Sequence, residues 1–405
     1  MVSLYILTYF CKKKILQEKI HMLAKTLAGL EEILMEELLQ IGATNIVQAK
    51  RAVAFDGDLE ILYKSNYLCR TALRVLIPIK TVRVRDQAEL YNQISKIDWS
   101  EYMQATDTLA IDSVANASAF SNSMFVSMKV KDAIVDQFRN KGGVRPSVDI
   151  ENPSLRVNIH IFRDECTISL DSSGSSLHKR GYRLESNKAP LNEVLAAGLI
   201  LLSGWDKKSN FVDPMCGSGT LLAEACMYAK NIPPAFFRRE FSFYHWQGQY
   251  AFDRDLWDKI VTEAENKIIP LEAVIVGSDN AKSSVFITKE NLKSAGIREE
   301  VVVKTCAFQD SEAPEGKGVV IMNPPYGERM DKDNVVELYK SIGDTLKSKY
   351  QGYDAWIISS NREAVGSVGL KASKRLVIFN GPLECRYLKY EMYSGSKRVR
   401  PEVEE

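Results

Sequence analysis

Three short segments carry residue types whose spacing suits group transfer from a nucleotide-like cofactor. The first is Phe211-Val212-Asp213-Pro214-Met215-Cys216-Gly217-Ser218-Gly219-Thr220. An apolar run ends at an acid, and two glycines then let the backbone bend sharply against a ligand before a helix begins. The same spacing also suits a plain tight turn. A Walker loop is excluded, because no Gly-Lys-Ser/Thr follows. The second segment, Gly277-Ser278-Asp279-Asn280, puts an acid at the end of the next strand-like run. A carboxylate there commonly accepts hydrogen bonds from two ribose hydroxyls, although Asp279 can equally cap the following helix. The third is Asn323-Pro324-Pro325-Tyr326. Its prolines stop the preceding strand and offer no N–H. The Asn323 amide oxygen and the Pro324 carbonyl are then two acceptors for one exocyclic amino group, and Tyr326 can stack on the flat ring that bears it. An ordinary proline-rich loop is the plainer alternative.

These segments need elements to hold them. From residue 191 onward, helix and strand patterns alternate: helix 191–203, a strand ending at Asp213, helix 220–228, strand 273–277 and helix 281–294. Strands 301–304 and 318–322, helix 335–348 and strand 355–359 follow. This alternation predicts a mostly parallel, doubly wound α/β sheet. A hairpin of 375–379 and 385–392, turned at Asn380-Gly381, closes it. An aromatic insertion lies between 231 and 270 (Phe236, Phe237, Phe241, Phe243, Tyr244, Trp246). It reads as a base-stacking surface or as a satellite core over the sheet edge.

Upstream, residues 23–40 repeat Leu30, Ile33, Leu34 and Leu38 at helical spacing, with Thr26 as cap and Gly42 as stop. Residues 52–55 read as a strand and 58–75 as a helix. Between 80 and 175, strand-like runs alternate with helices near 86–97 and 124–140, ending in a hairpin of 157–162 and 166–170. Residues 176–188 are polar and aperiodic and read as a linker.

Composition narrows the class. The chain has 405 residues, 45% hydrophobic and 26% charged, enough for two or three domains with real cores. No apolar stretch is long enough to span a membrane. Residues 1–17 read as an extension or a mis-called start, because the basic run Lys12-Lys13-Lys14 follows the apolar stretch instead of preceding it. The seven cysteines include no C-x-x-C pair and the four histidines stand apart, so neither a metal site nor a disulfide framework is expected. Scattered cysteine suits a reducing, cytoplasmic location. Net charge is +1, but residues 61–185 carry 17 basic and 14 acidic side chains, a tilt toward a phosphate-facing surface.

Together the three motifs resemble a class I S-adenosylmethionine-dependent methyltransferase, and the NPPY tetrad resembles those that methylate a planar nitrogen. The resemblance runs on through residues 18–39, Gly181-Tyr182-Arg183, Ala189-Pro190-Leu191-Asn192-Glu193 and the DPMCGSGTLLAEA run at 213–225. In these the chain is similar to the bacterial THUMP-domain RNA methyltransferases, specifically the large-subunit ribosomal RNA guanine-N2 family, over nearly its whole length. That family implies a ferredoxin-like domain (18–75), a THUMP domain (76–175), the linker, a Rossmann-like methyltransferase domain (189–395) and a charged tail (396–405).

It also implies roles. Asp213, Pro214, Gly217, Ser218 and Gly219 line the cofactor's amino-acid end, Pro190 and Leu191 approach its methionine part, and Asp279 holds its ribose. Asn323, Pro324 and Tyr326 receive the guanine. Many relatives place an acid beside the adenine where this chain has Cys306-Ala307-Phe308. Contact there falls to the Ala307 main chain and Phe308, or to Asp310. The target base must reach a concave pocket, hence be flipped out or unpaired. Candidate phosphate contacts are Arg70, Arg74, Lys80, Arg83, Arg85, Lys179, Arg180 and Arg183. The expected substrate is large-subunit ribosomal RNA. Transfer RNA, a protein glutamine, and a non-catalytic RNA-binding assembly role remain as alternatives.

Overall fold

The computed structural model describes residues 19–184, 190–325 and 332–393. The chain divides into two compact units. One comprises β1 with Leu34–Lys179 and Arg238–Asn266, the other Leu27–Ile33, Arg180–Phe237 and the chain from Lys267 onward. None of the described helices is long and apolar enough to cross a membrane.

The first unit opens with β1 (Ile20–Lys25), α1 (Glu31–Gln40), β2 (Thr44–Ala49), β3 (Ala52–Gly57), α2 (Leu59–Leu68) and β4 (Arg74–Arg83). This is the βαββαβ order of a ferredoxin-like plait. Two readings are corrected here. Residues 23–40 are not one helix: β1 is a strand with β3 and β4 on its two sides, and Gly29, at φ +90°, turns the chain into α1. Nor does a helix run over 58–75. Asp58 caps α2 at Ile61 N–H, α2 ends at Leu68, and the chain re-extends as β4. β2 escaped notice because it is an edge strand in which only Ile46 is even half-buried, so it lacks alternation.

β4 holds the unit together. Its start pairs with β1, and the stretch from Leu76 to Arg83 pairs with β8 (Glu165–Asp171), past an irregularity between Pro78 and Lys80. Among the described residues one sheet of eight strands results, ordered β2-β3-β1-β4-β8-β7-β5-β6, with β5 (Thr108–Asn116), β6 (Ser147–Val148) and β7 (Leu155–Phe162). Helix α3 (Gln87–Ser95), capped by Asp86, packs with α4 (Ser123–Gly142), capped by Asn122. The described part of the expected linker, 176–184, is no solvated tether. Leu177, Arg180 and Tyr182 are buried, and Leu177 N–H donates to the Leu73 carbonyl.

Phe241, Phe243 and Trp246 of the aromatic insertion are core, while Phe236 is exposed. The insertion's helix α7 (Arg254–Glu265) packs on α2. The Trp257 ring lies 5.8 Å from Tyr63 and 5.3 Å from each of Tyr67, Phe241 and Phe243. Buried rings meeting edge to face cannot also stack on bases.

The second unit contains α5 (Glu193–Ser203), β9 (Asn210–Asp213), α6 (Thr220–Ala229), β10 (Ile275–Asp279), α8 (Lys282–Ser294), β11 (Val301–Thr305) and β12 (Gly318–Met322). It continues with α9 (Lys332–Lys349), β13 (Tyr353–Ser359), α10 (Arg362–Gly366), β14 (Lys374–Asn380) and β15 (Leu383–Glu391). Its sheet runs β11-β10-β9-β12-β13-β15-β14, parallel except for β15. The order reverses between β9 and β12, the place where open α/β sheets leave a crevice beyond their strand ends.

Replacing Trp257 by alanine removes the centre of the satellite core. A loss of about 3–5 kcal/mol is expected, read as a lower urea midpoint. An unchanged midpoint would mean the insertion contributes no core.

Candidate active site

The site is built where β9, β10 and β12 end. Val212 lies opposite Val276 on one side and Val320 on the other, so the three motifs leave the sheet side by side. After β9 the chain turns through Gly217 (φ +55°) and Gly219 (φ +82°) into α6. At these angles a side chain is strained, and a Cβ on Gly219 would lie 2.8 Å from Thr288 Cγ2. The turn is fastened by hydrogen bonds. Cys216 N–H donates to the Ser278 carbonyl at 2.9 Å, and Gly217 N–H to Asp279 Oδ2 at 3.0 Å. From α8, Thr288 Oγ1 donates to the Gly217 carbonyl at 2.9 Å and Asn291 Nδ2 to the Ser218 carbonyl at 3.0 Å.

Sequence reasoning missed Thr288 and Asn291. Their signal is that both sit on the buried face of α8 with Val285 and Leu292. Polar residues inside an apolar stripe must have partners.

Asp213 is 1% exposed and accepts Met215 N–H at 3.2 Å. Burial pushes its carboxyl up to about 8, and the charge of Asp279 adds to the rise. Asp279 itself is half-buried; it binds Gly217 and also accepts Ala281 N–H on Oδ1 at 2.9 Å. Asp279 is not the cap of α8, whose N-cap is Ala281 without a side-chain cap bond; two of its lone pairs fix the turn and Ala281, while the others remain for hydroxyl donors. Pro214 and Ser218 are buried under the loop, and Cys216 is a buried thiol that burial holds well above the usual thiol range.

At the end of β11, Cys306 N–H donates to the Asp279 carbonyl at 3.0 Å, and the Ala307 carbonyl accepts Asp310 N–H at 3.0 Å. Phe308 is 5% exposed, its ring 5.2 Å from Tyr350, so its side chain packs beneath the loop. Beyond β12, Asn323 Oδ1 is buried without a hydrogen-bond partner among the described residues. Such an oxygen costs free energy until a donor meets it, and an exocyclic amine fits that need. Pro324 is buried beside it. Tyr326 lies outside the described residues.

Four of the eight basic candidates belong to the interior. Arg180, 2% exposed, pairs through Nε with Glu224 Oε1 at 3.3 Å, where the Tyr182 hydroxyl also donates at 3.1 Å. Arg74 binds Asp171 and the Gly174 carbonyl, and Arg70 is buried. Arg183 donates to Glu193, Ser218, Leu191 and Thr220. Arg180, Arg74 and Arg183 spend their charges on protein partners and Arg70 is buried, so the phosphate role is withdrawn for these four. Arg83, Arg85 and Lys179 are exposed and Lys80 half-buried. Pro190 is exposed, whereas Leu191 is buried with its carbonyl held by Arg183.

The strand order and this site define a class I methyltransferase fold. Residues 180–389 match the RMKL-like methyltransferase domain, 84–171 the THUMP domain and 21–76 the RlmL ferredoxin-like domain. The chain belongs to this family of THUMP-bearing, RMKL-like methyltransferases. A Synechocystis sp. protein named as an RNA methyltransferase is 39% identical over 90% of this chain and 95% of its own length. The ribosomal RNA large subunit methyltransferase K/L of Syntrophotalea carbinolica is 36% identical over 90% of this chain, which spans 52% of that longer protein. The crystal structure of the methyltransferase SMU.472 complexed with S-adenosylhomocysteine (SAH) superposes with a TM-score of 0.84 and 29% identity, over 94% of this chain and 100% of that one.

Two outcomes follow. A carboxyl raised in the folded state contributes stability that is complete below its unfolded value, about 4, and is lost as pH rises through its folded value. For Asp213 that window ends near 8. The stability advantage of Asp213→Asn over the parent should therefore widen from pH 5 to pH 8 and then level, in melting curves without ligand; a flat difference would contradict the raised value. Asp279→Ala should raise the SAH dissociation constant about tenfold or more by calorimetry, or about 1.4 kcal/mol. Unchanged affinity would leave Asp279 only its turn-fixing bonds.

Proposed function

We propose that this chain transfers a methyl group from S-adenosylmethionine to the exocyclic N2 amine of a guanosine in large-subunit ribosomal RNA. The observation that carries the reading is the buried Asn323 Oδ1, unpaired among the described residues and one strand away from the glycine turn. The kinship with K/L-named ribosomal RNA methyltransferases supports the choice of substrate.

When bound, the cofactor supplies a methyl already activated on sulfonium. The protein's own work is placement. Asp279 accepts the ribose hydroxyls, the Gly217–Gly219 backbone lies against the amino-acid end, and buried Asp213 offers a carboxylate whose ionised form the cofactor's ammonium would favour. A guanine amine is a weak nucleophile because its lone pair is delocalised into the ring. Asn323 Oδ1 and the Pro324 carbonyl, each accepting one N–H, favour a more tetrahedral nitrogen and stabilise the transition state with fixed dipoles. Holding the amine in line with the methyl supplies the rest. Its proton leaves to water afterwards, so no dedicated base is needed. Lys80, Arg83, Arg85 and Lys179 are the remaining candidates for phosphate contacts.

Labelled methyl should pass from S-adenosylmethionine into unmodified large-subunit ribosomal RNA and not into bulk transfer RNA; the reverse would overturn the substrate and keep the chemistry. Asn323→Ala should abolish transfer while SAH affinity stays within a few-fold. Loss of SAH binding in that variant would mean Asn323 serves the cofactor side instead of the target pocket.

A further inference from the structure

We propose that Arg183 is a positioning residue for methyl transfer, fixing the glycine turn against the segment that opens α5 so that both walls of the cofactor's amino-acid pocket keep one geometry. This rests on reading the turn as the cofactor site.

The guanidinium is a planar fork of five N–H donors. Here Nε donates to Glu193 Oε1 at 2.8 Å, Nη1 to Ser218 Oγ at 3.2 Å, and Nη2 to the Leu191 carbonyl at 3.0 Å and Thr220 Oγ1 at 2.9 Å. Those acceptors come from three places: the entry to α5, the glycine turn and the first residue of α6. Among the described residues no backbone hydrogen bond ties the first to the other two, and the Arg183 side chain bonds to all three.

Ser218 is held on both sides. Its hydroxyl accepts from Arg183, while its carbonyl accepts from Asn291, whose Oδ1 in turn accepts Leu184 N–H at 3.0 Å. Residues 183 and 184 thus close a ring around the residue between the two left-handed glycines. Position here matters, because the main chain itself is the binding surface and has no side chain to adjust. The choice of arginine follows from geometry. A lysine ammonium is a compact point charge on a flexible stem and cannot present a planar fork to four acceptors. Tyr182, in the same segment, donates its hydroxyl to Glu224 instead.

The test compares the full-length parent with Arg183→Lys, which keeps a cation beside buried Glu193, and with the charge-neutral pair Arg183→Met/Glu193→Gln, for use if the lysine variant folds poorly. SAH calorimetry is run well below each melting midpoint, with turnover at saturating S-adenosylmethionine measured separately. The expected result is at least a tenfold rise in the SAH dissociation constant together with a fall in saturated turnover. Thr220→Val should move both in the same direction, and combining it with Arg183→Lys should give less than the sum of the two effects. Tyr182→Phe should leave SAH affinity within twofold. A lowered melting midpoint with unchanged SAH affinity and turnover would reduce Arg183 to a structural residue and overturn the proposal. If the parent itself binds no SAH, the reading of the turn as the cofactor site fails instead.

Discussion

Everything at the candidate site depends on holding one backbone turn in a conformation that only glycine adopts without strain. Gly217 and Gly219 sit at positive φ between β9 and α6, and Gly219 has no room for a side chain beside Thr288. A turn of two such residues has little stiffness of its own. It is fastened from outside, by Asp279 on one amide, by Thr288 and Asn291 on two carbonyls, and by Arg183 on the intervening hydroxyl. The helices and the linker-like segment exist, at this end of the sheet, to bring those four side chains to the turn. The order reversal between β9 and β12 then places the Asn323 loop at the adjacent strand end.

The same end of the sheet carries two local costs. Asp213 is buried deeply enough to hold its proton near neutrality, and Asn323 Oδ1 is buried with no donor among the described residues. Neither serves the stability of the free fold. Both make sense together if one place takes a positive ligand and the neighbouring place an amine. Polar groups left costly in an otherwise consistent core tend to mark function.

Much of this was legible in the sequence because the second unit follows local rules closely. Strand ends at Asp213 and Asp279, the stop at Asn323-Pro324-Pro325 and the turn at Asn380-Gly381 each carry their own chemical signal. The first unit was less legible. β1 has a pattern that a helix shares, and its strand state is decided by partners in β3 and β4, far away in sequence. β2, at the edge, buries almost nothing. The arginines misled for a related reason: a guanidinium reads as a surface charge until its acceptors are seen. The acceptors of Arg183 lie up to 37 residues away and those of Arg180 lie 44 away. Thr288 and Asn291 were hidden in the same manner, on a helix whose apolar face looked sufficient.

The most direct test of the account is the identity of the methylated atom. Large-subunit ribosomal RNA modified by the full chain would be digested to nucleosides and resolved by mass spectrometry against standards. The account predicts N2-methylguanosine, the product of an exocyclic amine held by two acceptors and no donor. A methyl on a guanine ring nitrogen, on a ribose oxygen or on a pyrimidine carbon would contradict it, since none of these offers two N–H bonds to Asn323 and Pro324.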